Sequence, residues 1–257
     1  MQNEEEFYIV DDGIRLHAKL DKPETAAEED KLPLMLLFHG FTGHMEEEHI
    51  VAAMETAVQE GFAVLRVELY GHGGSDGAFE DHTLYKWVTN GLTVIDYARQ
   101  LDFVTDLYIC GHSQGGLLTV LLAGMCPDAF KAVIPMSPAL MIPEAAREGT
   151  LLGFPFDPQN IPEYLDCWND RKLRGDYARV AQTIHIEDEI DRYHGPVCLI
   201  HGDSDSAVPY ACSVEANERY ENSQLKTIAG SDHCYGGYIE EMCCALREFL
   251  REVKLNL

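Results

Sequence analysis

Five short apolar runs constrain this chain more than any other feature. Residues 34–38 (LMLLF), 63–68 (AVLRVE), 107–110 (LYIC), 131–136 (KAVIPM) and 197–200 (VCLI) have strand length. Helical patterns separate them, at 50–60, 85–100 and 117–125, with Gly61 and Pro127 as stops. A chain that alternates in this way folds as α/β, with a mostly parallel sheet covered by helices on both faces. Strands in such a sheet are buried on both sides, so they read as continuous apolar runs. Residues 7–10 and 14–20, turned at Asp12-Gly13, read as an opening hairpin. The polar stretch 21–31 reads as an exposed loop. Beyond 197–200 the pattern predicts a helix near 213–220, a strand at 225–228 and a final helix at 239–253.

The rhythm breaks between residues 137 and 192. Prolines at 138, 143, 155, 158 and 162 punctuate this stretch, and Phe154, Phe156, Tyr164, Trp168 and Tyr177 lie within it. So long a segment inside one domain is not plain loop. It reads as an inserted lid subdomain, 137–192, that divides a core of 1–136 and 193–257. The 257 residues and a 46 % hydrophobic share suffice for such a core.

Charge narrows the partners. Nineteen Lys+Arg against 44 Asp+Glu leave a net charge of −25. Such a surface repels nucleic acid and anionic membranes, so neither is an expected partner. The eight cysteines form no C-x-x-C pair, and several sit inside apolar runs. They read as small buried hydrophobes in a reducing compartment. No basic and apolar leader opens the chain, and no run approaches about 18 apolar residues, so a cytoplasmic protein without a membrane span is expected. The histidines lack metal-ligand spacing, so neither metal nor cofactor is expected.

In open α/β sheets, ligands bind beyond the carboxyl ends of the strands. Those ends carry His39-Gly40-Phe41-Thr42-Gly43, Gly111-His112-Ser113-Gln114-Gly115, His201-Gly202-Asp203-Ser204-Asp205 and Gly230-Ser231-Asp232-His233. Ser113 stands between a strand and an apolar helix, with Gly111 and Gly115 two residues away on either side. That is the pattern of a nucleophile on a tight turn, where the crowded backbone admits only small neighbours. A serine hydroxyl needs a base, and the base needs an acid to hold its tautomer. His233 is placed to be the base. Asp203 and Asp205 both follow the strand at 197–200. Asp205 lies deeper in the turn and can aim at the His233 loop, whereas Asp203 suits a turn-holding role. Asp232 adjoins His233, and loop neighbours usually diverge. His112 would point away from the nucleophile, and His39 would support its own loop. The backbone amides of Phe41 and Gln114 are placed to stabilise an oxyanion.

The stretches HGFTGH (39–44), YGHGGSDGAFEDHTLYKW (70–87), CGHSQGG (110–116), LGFPFDPQNIP (152–162), YARVAQTI (177–184), HGDSDSAVP (201–209) and SDHCY (231–235) resemble the α/β-hydrolase superfamily. They look most like its bacterial cinnamoyl (feruloyl) esterases, over about residues 7–250. The resemblance implies an α/β-hydrolase fold and Asp205 as the triad acid. It implies oxyanion donors at Phe41 and Gln114, and an insert that acts as a lid over an aromatic acyl group. It places Tyr177 and Glu144 near phenolic hydroxyls and Trp168 in the lid, and it implies a homodimer. The expected activity is hydrolysis of small hydroxycinnamate esters such as ferulate, caffeate and p-coumarate through an acyl-enzyme. The alternative with the same triad is a lipase-like esterase for monoacylglycerols or short aliphatic esters. A non-catalytic binder on this fold would usually lack Ser113 or His233.

Overall fold

A computed structural model describes residues 3–168 and 170–255. The outermost ends of the two core segments read from the sequence, 1–2 and 256–257, lie outside the described residues.

The first half of the chain alternates as its apolar runs dictate. A hairpin of β1 (Asn3–Asp11) and β2 (Ile14–Lys22) leads to β3 (Leu32–Phe38), α1 (Glu48–Gln59), β4 (Ala63–Val67) and α2 (Leu84–Arg99). Then come β5 (Val104–His112), α3 (Gln114–Met125) and β6 (Phe130–Met136). The irregular stretch holds α4 (Ile142–Glu148), two small hairpins and two short helices. The hairpins are β7 (Thr150–Leu151) with β8 (Phe154–Pro155), and β9 (Tyr164–Asp166) with β10 (Lys172–Arg174). The short helices are α5 (Asp176–Ala181) and α6 (Ile186–Ile190). Alternation resumes with β11 (Val197–Gly202), α7 (Ala211–Arg219), β12 (Ser223–Ile228) and α8 (Ile239–Leu255).

Eight strands form one sheet in the order β1-β2-β4-β3-β5-β6-β11-β12. The β1–β2 and β2–β4 pairs are antiparallel, and the others run parallel. Strand periodicity sorts the core into two layers. In β3, Leu34, Leu36 and Phe38 face the layer containing α2 and α3, while Met35 and Leu37 face that of α1 and α8. Helix α3 is apolar on every side because it is sandwiched, and all residues from Gln114 to Gly124 are buried. Helix α8 buries one stripe, including Met242, Leu246, Phe249 and Val253. Among the described residues, no helix is long and apolar enough to cross a membrane.

Two sequence expectations need correction. The exposed loop read at 21–31 begins too early. Asp21 lies in β2, fully buried, with its carboxylate on Arg66 of β4 at 2.9 and 3.3 Å. Arg66 also donates to the Met45 carbonyl and to the carboxylates of Glu46 and Glu4, so this buried charge is surrounded by acceptors. The cysteines, all free, are not uniformly buried either. Cys110, Cys167, Cys198 and Cys243 are, but Cys234 and Cys244 are exposed.

The insert shares its core with the sheet. Leu151, Leu165, Leu173, Tyr177, Ile186 and Ile190 join the buried cluster on the α2–α3 side. Helix α6 packs on α3, and α5 packs on α2 and α4. Side chains fasten it further: Arg174 pairs with Asp81, and the Tyr85 and Thr183 hydroxyls meet at 2.7 Å.

Candidate active site

The turn between β5 and α3 is as tight as its glycines predict. Ser113 has φ 57 and ψ −118, a conformation rare for a residue with a side chain. Its N–H donates to the Met136 carbonyl at 2.9 Å, and its carbonyl accepts from Leu117 and Ala139, each at 3.0 Å. A Cβ on Gly115 would lie 2.3 Å from the His39 carbonyl oxygen, and one on Gly111 would lie 2.3 Å from that of Gly115. Backbone cannot retreat as a flexible side chain can, so both positions require glycine. The His39–Gly43 loop also presses on this turn, since a Cβ on Gly40 would touch the Ser113 Cβ at 3.0 Å.

Asp205 and His233 meet across two loops. His233 Nδ1 lies 2.6 Å from Asp205 Oδ2, and His201 Nε2 lies 3.0 Å from the same oxygen. Asp205 Oδ1 accepts from the amides of Ala207 and Val208 at 2.8 and 2.9 Å. Burial works to raise the Asp205 pKa. The hydrogen bonds from His201 and His233 outweigh it and hold the carboxyl well below the usual range. An ionised Asp205 keeps the proton of neutral His233 on Nδ1 and leaves Nε2 free as an acceptor. The other two aspartates hold backbone: Asp203 accepts from Gly230 at 2.6 Å, and Asp232 from Cys234 and Gly236 at 3.2 and 2.8 Å. Of the three aspartates weighed from the sequence, Asp205, the one favoured there, alone bonds to the His233 ring.

Several supports were not singled out from the sequence. His201 braces Asp205, and its own Nδ1 meets the Ser213 hydroxyl at 2.7 Å. Tyr235 donates to the Ile200 carbonyl and accepts from Ser137, both at 2.9 Å, which pins the loop behind His233. His112 lines the same cavity as Ser113, and its Nε2 donates to the His233 carbonyl at 2.8 Å. Burial keeps His112 neutral. The only sequence signal for these supports is their adjacency to strand ends.

The loop carrying Phe41 rests on neutral histidines. His39 Nε2 accepts from the Leu69 amide at 3.1 Å, and His72 Nε2 from the Thr42 amide at 3.3 Å. Burial pushes His39 and His82 down to about 3 and His72 down to about 4. Phe41 packs edge-on against Phe79, Tyr177 and Trp168. Gln114 opens α3, where first-turn amides have no partner within the helix.

Ser113, His233, Phe41, Gln114 and Trp168 line one cavity of about 170 Å³, with Leu152 and Ile142 from the insert. Two residues expected at the acyl group are elsewhere. Tyr177 is fully buried behind the cavity wall, its hydroxyl donating to Gln114 Oε1 at 2.6 Å. Glu144 is an exposed residue of α4, paired with Arg147 at 2.7 Å. It borders a separate cavity of about 690 Å³ with Met141, Ile186 and Glu215, which none of Ser113, Asp205 or His233 lines. Glu144 sits on an outward helix face there, so it does not reach the Ser113 cavity in this arrangement. Among the described residues, no cluster of His, Cys, Asp and Glu could hold a metal ion.

The sheet order and the strand-end turns define the class, an α/β-hydrolase fold. The family model described as "Serine aminopeptidase, S33" (Hydrolase_4) matches residues 30–159. The chain is similar to Est1E from Butyrivibrio proteoclasticus, solved with ferulic acid bound: 56 % identity, 97 % of this chain and 99 % of that chain, TM-score 0.95. Est1E from the same organism, in a second solved structure, matches at 53 % identity, 97 % and 99 % coverage and TM-score 0.91. A thermostable monoacylglycerol lipase from Bacillus sp. (strain H-257) is 26 % identical over 68 % of this chain and 71 % of its own. The chain belongs to the α/β-hydrolase superfamily and, within it, to the bacterial feruloyl esterase family.

Proposed function

We propose that this chain is a serine carboxylesterase that hydrolyses hydroxycinnamate esters, with Ser113, His233 and Asp205 as its catalytic triad. The observation that carries the substrate class is 56 % identity, across 97 % of the chain, to a protein whose structure holds ferulic acid. An apolar, aromatic cavity beside Ser113 supports the same reading. His233 Nε2 takes the Ser113 proton as Oγ attacks the ester carbonyl. The amides of Phe41 and Gln114 stabilise the oxyanion. The imidazolium, held by Asp205, then protonates the departing alkoxide. Water repeats the cycle on the acyl-enzyme and releases the acid.

Residues 137–192 serve as a lid over the acyl group in this proposal. Trp168 and Leu152 form its apolar wall, and Tyr177 acts through Gln114. The eight free thiols support a reducing, cytoplasmic setting. The homodimer implied by resemblance is read out by sedimentation.

The test is hydrolysis of methyl ferulate, caffeate and p-coumarate by the wild type and by Ser113→Ala. The wild type should cleave all three, and the variant should lose about 10⁴-fold or more. Retained turnover in the variant would overturn the assignment. The 26 % relative named as a monoacylglycerol lipase favours a second reading, an aliphatic esterase. Faster cleavage of monoacylglycerols than of ferulates would select it. Cleavage of aminoacyl anilides would instead follow the name of the matching family model.

A further inference from the structure

The cavity has two distinct walls. Ala139, Ile142, Leu152 and Trp168 come from the insert, while Thr42, Glu47, His233 and Cys234 come from the core. Cys234 follows His233 in the chain, and Glu47 lies within electrostatic reach of the His233 ring and of the Cys234 thiol. The chemistry then orients the substrate. The leaving oxygen must lie beside the ring that protonates it, so the alcohol sits toward Glu47 and the acyl group toward the insert.

Among the described residues, Glu47 is the one carboxylate that lines this cavity, and the basic groups near it are His44 and His233 rather than a Lys or Arg. It precedes α1, and its Oε2 accepts from the His44 amide at 3.3 Å, which orients the group. Burial raises its pKa, as expected for a carboxylate facing a partly closed space. The triad does not use it. A held carboxylate at this point accepts hydrogen bonds from hydroxyl groups and repels anions.

We infer that Glu47 selects the leaving alcohol. Its carboxylate accepts a hydrogen bond from a second hydroxyl of a neutral polyhydroxylic alcohol, of glycerol or sugar type. It disfavours alcohols that carry a carboxylate. This inference rests on the hydroxycinnamate reading and adds the residue that discriminates among leaving alcohols at that site.

The experiment compares kcat/KM for methyl ferulate, glyceryl ferulate and a feruloylquinate in the wild type, Glu47→Gln and Glu47→Asp. The quinate ester carries the anionic alcohol. Relative to methyl ferulate, Glu47→Gln should raise the quinate ester roughly tenfold. It should lower the glyceryl ester several-fold, through KM. Glu47→Asp should keep the discrimination against quinate. A second readout is ionic strength: salt should raise activity on the quinate ester more in the wild type than in Glu47→Gln, since the net charge of −25 acts in both and only the wild type adds the local carboxylate. Failure to cleave methyl ferulate would sink the hydroxycinnamate reading. Cleavage of methyl ferulate with identical three-ester ratios in wild type and Glu47→Gln would sink the role of Glu47 alone.

Discussion

At the carboxyl edge of the sheet, the candidate groups are held through backbone. Ser113 is bonded to Met136, Leu117 and Ala139, Asp205 accepts two amides, and Asp203 and Asp232 staple the loop around His233. The insert adds ties to the core between side chains far apart in sequence. Tyr177 reaches Gln114, Arg174 reaches Asp81, and Thr183 reaches Tyr85. Backbone bonding fixes position whatever the substrate. Side-chain ties over a shared core allow the acyl wall to change while the reacting groups stay in place. A chemistry common to many esterases and a pocket particular to one substrate can therefore occupy neighbouring parts of one fold.

The sharpest way to break this contrast is at Asp205. Asp205→Asn should retain most of the loop bonding but lose the charge that fixes the His233 tautomer. We expect kcat to fall by about 10⁴-fold on every ester, aromatic or aliphatic. A loss confined to hydroxycinnamates would move Asp205 from chemistry to specificity and collapse the distinction between the regions.

That distinction also governs what can be read from the chain. Gly111 and Gly115 are legible because the steric demand is local: a backbone turn with no room for Cβ. The strands are legible from continuous apolar runs. Asp205 is legible as the favoured acid from its depth in the turn, and its bond to the His233 ring sets it apart from Asp203 and Asp232. Tyr177 was expected at the substrate, but its hydroxyl is taken by a residue 63 positions away. Asp21 was read as part of a loop, because Arg66 lies 45 positions further on and no local pattern announces the pair. Periodicity reports burial of a face; it does not report which distant polar group a buried side chain meets.

Acid should weaken the sheet edge before the insert. His39, His72 and His82 cluster beneath the Phe41 loop, whereas 137–192 contains only His185. Burial lowers the folded-state pKa values of the three to about 3, 4 and 3, against an unfolded value of about 6.5. A histidine kept neutral by the fold leaves the unfolded chain to bind the proton first. Its contribution is complete above about pH 6.5 and declines as pH falls toward 4 and then 3. Thermal melting from pH 8 to 4 should show a plateau followed by a falling Tm. A Tm that is constant down to pH 4 would contradict the buried, neutral assignment.

The link between the two regions is open to test at Tyr177. Tyr177→Phe leaves the ring and removes the donor to Gln114 Oε1. An unsatisfied buried amide oxygen should cost about 1–3 kcal/mol of stability, seen as a lower denaturation midpoint. If Tyr177 also fixes the wall beside the acyl group, kcat/KM should fall further on ferulates than on acetates. Equal losses would make the bond purely structural.

The smallest expected effect, and the most selective, is at Trp168. This ring is 38 % exposed, yet it lines the cavity and meets Phe41 edge-on at 6.3 Å. Because the residue is 38 % exposed, Trp168→Ala should cost less than truncating a fully buried ring, on the order of 1–2 kcal/mol, read as a modestly lower Tm. A ring that forms the acyl wall contributes only when the acyl group is long enough to reach it. Methyl ferulate should lose roughly tenfold in kcat/KM, mostly through KM, in line with the loss of one aromatic contact. A short acetate ester, which ends before the wall, should be cleaved as before. Equal losses on both esters would place Trp168 with the catalytic edge. No loss on either would remove it from the acyl pocket and leave Ala139, Ile142 and Leu152 as the insert's contribution.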